Sequence, residues 1–465
     1  TVFGGQGVDI IGTLAVTNTR VNGNVGNDSI TVVGATSSSI FGGQGQDVIT
    51  VKGAVSSSVI QGDNGDDTMT LTVDGGVGTF TASTINGNAG NDTITVGAIT
   101  GFTTSTVFGG AGDDTINATN ATVGVLMQGD AGNDHFSGGS GIDTFLVNAG
   151  ADTITNVGQG GSDVIKIASG ASVLGTVAAS WVATAAVSNQ GNGTLISGAA
   201  GININLEVAS GPNGWLIQDS TGDEVLYGSA LADTINATAG NDELRGRDGD
   251  DSLSGGSGND LIFGNQGHDW IDGGADDDII NAGKGNDTVF GGQGNDVIDG
   301  GSTGSDVLDG GDGNDYIIGD AGADSLTGGA GADTFVFAGA IAAAATDATN
   351  AEIIAHGVDT ITDYSVADDS INVSRELFGT NIGAVGATLA TTQFSTIATA
   401  ATASIDFTAV NNGFVYVQDT DTLYYSVISL ASAGSVATAI TAGTIAAVAR
   451  FNDVNLVNTE FTIVA

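Results

Sequence analysis

Between residues 244 and 335 one apolar residue recurs at Leu244, Leu253, Ile262, Ile271, Ile280, Val289, Ile298, Leu308, Ile317, Leu326 and Phe335, with glycine and polar residues filling the intervals. The spacing is nine, with one residue inserted in GGSTGSD at 300–306. A helix face needs an apolar residue every three or four positions, so this pattern is too sparse for one. It suits a three-residue strand with a single inward side chain, and predicts two nonads folded into one flattened coil of eighteen. TVFGGQGND at 288–296 shows the unit, and close copies stand at 1–9 (TVFGGQGVD) and 106–114 (TVFGGAGDD). Glycine fills the turns because so tight a bend needs positive φ and close backbone approach, which costs a residue with a Cβ about 1 kcal/mol or more.

Aspartate closes each turn. From residue 232 it stands at Asp233, Asp242, Asp251, Asp260, Asp269, Asp278, Asp287, Asp296, Asp306, Asp315, Asp324 and Asp333. The insertion lengthens Asp287 to Asp306 and Asp296 to Asp315 alike, so two aspartate columns survive it. Residues 1–165 carry the same turn at a longer pitch, at Asp9, Asp28, Asp47, Asp67, Asp92, Asp114 and Asp134, with strand-like SITVV, VITVK and TMTLTV between. Small residues such as SSS at 37–39 and 56–58 replace the opposite turn. The doubled pattern resumes with Asp143 and Asp163 on one edge and Asp134 and Asp152 on the other. The expected fold is all-β, a parallel β-roll (a β-helix or solenoid). It divides into a long-pitch roll at 1–165, a β-rich interlude at 166–231 that loses the period, a regular roll at 232–338 and a C-terminal β domain at 339–465.

Composition sharpens this. The 77 glycines among 465 residues come with one proline and 40% hydrophobic residues at fixed spacing, which marks repetitive order rather than disorder. With 53 acidic against 8 basic residues, the net charge of −45 argues against nucleic acid and anionic membranes as partners and points to cations. The absence of cysteine removes disulfides and thiolate metal sites. No run of 18 apolar residues suggests a transmembrane segment, and no leader precedes Thr1, which falls inside a motif; the chain reads as the C-terminal part of something longer.

Stacked coils lie about 4.8 Å apart. At that spacing neighbouring carboxylates repel by roughly 1 kcal/mol per pair in water and about 3 to 4 at an effective dielectric near 20. A hard cation between turns reverses the sign by taking carboxylate and glycine carbonyl oxygens, and a flexible set of six or more oxygens suits Ca²⁺ better than Mg²⁺. GGQGNDVID at 291–299 and GGSGNDLIF at 255–263 carry the full motif GGxGxDxUx. With these nonads the chain resembles the RTX (repeats-in-toxin) family of secreted calcium-binding β-rolls, whose repeat is a known calcium nonapeptide.

The resemblance implies multiple stacked Ca²⁺ ions held by all the aspartates named above, with turn backbone from Gly255, Gly256, Gly258, Gly291, Gly292, Gln293 and Gly294. DTITDYSVADDSINV at 359–373, FVYVQDTDTLYY at 414–425 and EFTIVA at 460–465 are similar to C-terminal regions exported by type I secretion machinery. The chain departs from the family pattern in the long-pitch block, in the interlude and at Asp276, which replaces a turn glycine. The resemblance further implies a chain unfolded in the cytosol and folded by extracellular Ca²⁺.

Catalytic signals are weak. His135, His268 and His356 form no HExxH; Glu352 with His356 is one isolated pair, and His268 sits at a variable turn position. No GxSxG elbow or P-loop lysine occurs. Trp181 and Trp215 read as core aromatics rather than a sugar platform, and threonine strands such as TITV at 93–96 as ordinary sheet rather than an ice-binding face. The expected role is non-enzymatic: a structural component of a bacterial cell-surface layer (S-layer), self-associating into a lattice, with cell-surface polysaccharide as a further partner. The alternative is the export and folding module of a larger secreted adhesin, toxin or enzyme.

Overall fold

The computed structural model describes residues 1–73, 78–337, 359–363, 365 and 368–370. It also describes the backbone of the strands Ser370–Ser374, Phe394–Ile397, Gly413–Val417, Thr422–Ser426, Ile445–Phe451 and Phe461–Val464. Among the described residues every element is a strand, and no helix is long and apolar enough to cross a membrane. The chain divides into two compact units, Thr1–Ile235 and Asn236–Ala465.

In the first unit the coils stack their strands in parallel, each paired with the next coil's. Two long runs face one another, and a shorter third run, Val55–Ser56, Thr79–Thr81 and Gly101–Thr103, lines the remaining edge of the long-pitch coils. Arg20–Val25, Ser39–Gln44, Val59–Asn64, Thr84–Ala89 and Thr106–Ala111 form one face in unbroken register, Val21 beside Ile40, Ile40 beside Ile60, Ile60 beside Ile85. Opposite run Ser29–Thr36, Val48–Lys52, Thr68–Thr72 and Thr93–Val96. Alternation aims one residue of each pair inward. Val21, Ile40, Ile60, Ile85 and Val107 thereby meet Ile30, Ile49, Met69, Ile94 and Ile116, all fully buried. Each such side chain contributes about 1.5–3 kcal/mol, so the thin core is strong only by repetition.

The interlude at 166–231 is not an interruption. Ala151–Val157, Ser172–Val177, Asn192–Ser197 and Trp215–Gln218 continue the parallel stack coil by coil. The period is lost because the corners are built differently. Asn189, fully buried, accepts from Gly191 N at 3.1 Å and donates to the Gly214 carbonyl. Trp181 is buried and donates through Nε1 to the Asp163 carbonyl at 3.2 Å. Trp215 is likewise 2% exposed, which makes both tryptophans core residues.

The second unit is the regular roll. Glu243–Asp248, Leu261–Gln266, Ile279–Lys284, Val297–Asp299, Tyr316–Ile318 and Thr334–Phe337 stack in parallel, bringing Leu244, Ile262, Ile280, Ile298, Ile317 and Phe335 into one inward column. Ser252–Ser257, Trp270–Ala275, Thr288–Gln293, Val307–Asp312 and Ser325–Ala330 form the facing sheet. The inserted residue is absorbed in the turn, where Gly301 and Gly304 adopt φ of 103° and 150°, and the pairing of Val289 with Leu308 is undisturbed.

Of the C-terminal region the described strands continue the stack. Ile445–Phe451 lies parallel to Asp359–Ile361, and Phe461–Val464 parallel to Ser370–Ser374, while Gly413–Val417 and Thr422–Ser426 pair as an antiparallel hairpin. The alanine-rich stretch at 338–346, Glu352, His356 and most of the expected domain at 339–465 lie outside the described residues.

Candidate metal centre

The aspartates form ladders. In the first unit the backbone N–H of Asp9 donates to Asp28 Oδ1, that of Asp28 to Asp47, Asp47 to Asp67, Asp67 to Asp92 and Asp92 to Asp114, each at 2.7 Å. The series continues to Asp134 and Asp152 at 2.9 Å. In the second unit one ladder links Asp242, Asp260, Asp278, Asp296, Asp315 and Asp333 at 2.7–3.0 Å. The other links Asp251, Asp269, Asp287, Asp306 and Asp324 at 2.8–2.9 Å. Two further rungs went unread in the sequence: Asp333 N donates to Asp369 Oδ1 at 3.0 Å and Asp324 N to Asp359 Oδ1 at 3.1 Å. The Asp-Thr-Ile at 359–361 was the available signal, obscured because 35 residues separate it from the previous rung.

One carboxylate oxygen of each rung is thus engaged. The second oxygen, Oδ2, is buried without a hydrogen-bond partner at Asp28, Asp47, Asp67, Asp92, Asp114, Asp134 and Asp152, and at Asp269, Asp278, Asp287, Asp296, Asp306, Asp315 and Asp333. A buried, unpaired carboxylate oxygen is costly, so a row of them demands an occupant. At most of these rungs the glycine five residues earlier leaves the room; Asp152 and Asp287 have Val147 and Ala282 there instead. A Cβ added at Gly291 would land between Asp296 Oδ2 and the carbonyl oxygen of Gly310, 2.6 Å from the latter. At Gly273 the same space is bounded by Asp278 Oδ2 and the Gly291 carbonyl, and at Gly255 by Asp260 Oδ2 and the Gly273 carbonyl, each carbonyl again at 2.6 Å. Carboxylate and carbonyl oxygens converge there, a hard-oxygen donor set that fits Ca²⁺.

The remaining motif positions shape the turn. Gly256, Gly258, Gly292 and Gly294 have φ of 100°, 114°, 110° and 142°, the region that excludes most side chains, while Gln293 is exposed at the tip. Asp276, which departs from the motif, holds φ of 77° in the same turn and so adopts a glycine-like conformation.

Burial and like charge act on these acids in the ion-free state. Desolvation, with neighbouring carboxylates adding to it, pushes Asp67, Asp114, Asp269 and Asp315 up to about 7. Asp278 and Asp306 are pushed to about 8, against a usual value of 3.8. The N–H from the preceding coil opposes this without cancelling it. Protons and a divalent cation therefore compete for the same oxygens.

Three predicted ligands differ. Asp143 and Asp163 also stand in a ladder, at 2.8 Å, but their Oδ2 atoms accept from Gly139 N and Gly158 N, each at 2.8 Å. Asp233 Oδ2 accepts from Ser229 N and, at 2.9 Å, from Ser229 Oγ. These turns close on themselves and satisfy both carboxylate oxygens from protein donors. The sequence concealed this for Asp143, whose GGSGID matches the motif; Gly139 and Gly141 stay outside the left-handed region that Gly256 and Gly258 occupy.

On the opposite edge of the long-pitch coils serine replaces aspartate. Thr19 N donates to Ser38 Oγ, Ser38 N to Ser58, Ser58 N to Ser83 and Ser83 N to Ser105, at 3.1–3.2 Å. The hydroxyls in turn donate to carbonyls two residues back. A neutral ladder needs no counterion. His268 is a turn residue whose Nδ1 accepts from Asn286 N at 2.7 Å, and His135 lies on a strand beside Thr153.

The family profile of the RTX calcium-binding nonapeptide repeat matches residues 72–98, 103–120, 128–165, 227–262, 263–298 and 300–335. The chain carries RTX repeats. A search of the curated proteins finds no match. The RTX segments cover the regular roll and part of the long-pitch coils, where the aspartate ladders run. Residues 1–71 lie outside them, yet Asp9, Asp28 and Asp47 stand in the same ladder as the RTX rungs.

Proposed function

We propose that the chain is a calcium-dependent structural component of a bacterial cell-surface layer, non-enzymatic, exported by type I secretion machinery and folded outside the cell by Ca²⁺. The observation that carries the calcium reading is the row of buried, unpartnered Oδ2 atoms, which at Asp28, Asp47, Asp67, Asp92, Asp278, Asp296 and Asp315 share their space with a glycine carbonyl from the next coil. Filling that row neutralises the repulsion along each ladder, so folding and ion binding become one equilibrium. The carboxylates are spent on holding coils together rather than gathered in a cleft, which supports a building material over a catalyst. Long parallel solenoid faces supply repeating surfaces for lateral self-association.

Electron microscopy of the purified chain before and after calcium addition tests the surface-layer reading. Ordered two-dimensional arrays are expected with calcium. A chain that folds in calcium but stays monomeric by sedimentation overturns the lattice and leaves the export and folding module of a larger secreted protein as the reading to pursue.

A further inference from the structure

The outer face of the first unit carries a pattern that the calcium ladder does not require. Down one outward rank stand Phe3, Asn22, Phe41, Gln61, Asn86, Phe108 and Gln128, paired coil to coil. Two residues further along the strands stand Gly5, Asn24, Gly43, Asp63, Asn88, Gly110 and Asp130. The two ranks are correlated: FGG wherever the first is aromatic, NGN or QGD wherever it is an amide.

The turn itself does not demand this. In the second unit the sheet of Ser252–Ser257, Trp270–Ala275, Thr288–Gln293, Val307–Asp312 and Ser325–Ala330 has glycine at the second rank throughout, at Gly256, Gly274, Gly292, Gly311 and Gly329. The facing sheet has Arg247, Asn265 and Asp320 there, at φ of 92°, 79° and 59°. In the first unit Asn24, Asp63 and Asn88 hold φ of 78°, a left-handed conformation that glycine takes more easily, as Gly43 and Gly110 do at 120° and 123°. Among the strands compared, only the first unit pairs such a side chain with an amide in the first rank, and that pairing points to use.

What they build is an open trough of about 690 Å³ across five coils, lined chiefly by Asn22, Asn24, Gln61, Asp63, Asn86 and Asn88, with its floor lowered at Gly43 and Gly110. All six lining side chains are half-buried. Only part of their hydrogen-bonding capacity is used internally: Asn22 and Asn86 accept from the N–H two residues on, Asn88 Nδ2 donates to Asp63 Oδ1 at 3.3 Å, and Gln61 Nε2 donates to Asn88 Oδ1 at 3.5 Å. Phe108 stands beside Asn86 at one end. Phe41 lies within the trough's span, its ring 4.5 Å from the Arg20 guanidinium.

We propose that this trough binds a neutral glycan chain lying across the coils. A carboxamide offers a donor and an acceptor side by side, the complement of paired sugar hydroxyls, and such polar pairs stand on the first, third and fourth of five coils that follow one another at about 4.8 Å. Aromatic rings take the C–H faces of sugar rings. A net charge of −45 selects against anionic polymers. The proposal deepens the surface-layer reading by placing its polysaccharide partner, and rests on that reading only for the source of the glycan.

Native affinity electrophoresis of the whole chain in calcium, through gels containing dextran, hydroxyethyl cellulose, galactomannan or yeast mannan, tests it. Retardation by at least one polymer is expected. The triple variant Asn24→Gly, Asp63→Gly, Asn88→Gly, which installs the residue already present at Gly43 and Gly110 and so preserves the turn, is expected to weaken binding by about ten-fold or more. Phe108→Ala acts in the same direction, and Phe290→Ala, on the second unit, leaves retardation unchanged. A folded chain that passes all four polymers unretarded overturns the proposal, as does retardation that the triple variant leaves intact. Circular dichroism on the same samples separates these results from a chain that fails to fold in calcium, which would overturn the roll and the trough together.

Discussion

At the residue scale the same job, accepting a hydrogen bond from the coil before, is done by a charged side chain on one edge and a neutral one on the other. Asp92 accepts from Asp67 N, and Ser83 accepts from Ser58 N. Removing either acceptor leaves a buried N–H unpaired, worth about 1–3 kcal/mol. Only the aspartate also offers an Oδ2 to a cation. Ser83→Ala is expected to lower the melting temperature while leaving the number of bound calcium ions unchanged; Asp92→Ala is expected to lose at least one ion. Equilibrium dialysis decides between them, and equal losses would show that the serine edge also holds metal.

Acidity makes a second residue-scale prediction. In the ion-free fold Asp67, Asp114 and Asp315 titrate near 7 and Asp278 and Asp306 near 8, against 3.8 in the open chain. A raised carboxyl pKa contributes stability that is fully present below the unfolded value and is lost as pH rises through the folded one. In chelator the melting temperature is therefore expected to fall as pH rises from about 5, until no folded chain remains to melt near neutral pH. In saturating calcium the cation takes the protons' place, and the fall disappears. Thermal melts at several pH values check both arms; a chelated chain that gains stability toward pH 8 would contradict the buried-acid account.

At the element scale each coil is two short strands whose inward residues meet across a thin core. Ile280, 1% exposed, lies between Ile262 and Ile298. Ile280→Ala is expected to cost about 2–5 kcal/mol. Because each coil leans only on its neighbours, the loss is local. Hydrogen exchange should accelerate in Leu261–Gln266 and Val297–Asp299 more than in Thr334–Phe337, and uniform acceleration would argue for a single cooperative core.

The strands and both ladders of the second unit were legible in the sequence because a nine-residue period fixes them twice, through the inward apolar residue and through the aspartate. The inserted residue was also readable, since it shifts Asp306 and Asp315 together. What was not legible depended on contacts without a period. The stack continues through 166–231 on corners built from Asn189 and Trp181, whose roles appear only when distant carbonyls arrive beside them. Asp143 shares its motif with the turns whose Oδ2 is left unpartnered, yet its own Oδ2 is closed by Gly139 N, a difference of backbone conformation rather than of residue type. The serine edge was visible as small residues but not as a ladder, because a hydroxyl leaves no charge pattern to count.

At the scale of the whole molecule, 53 acidic residues face 8 basic ones, and the acids most deeply buried are those stacked in register. Folding without a counterion sets the hydrophobic core against a row of desolvated like charges. Cations that bind only the stacked form shift the balance by an amount that grows with every site filled. Far-UV circular dichroism of the chelated chain titrated with Ca²⁺, and in parallel with Mg²⁺, tests this most directly. The account predicts a disordered spectrum at neutral pH in chelator, conversion to a β spectrum on adding millimolar calcium, and little response to the same magnesium. Identical spectra with and without calcium would contradict it.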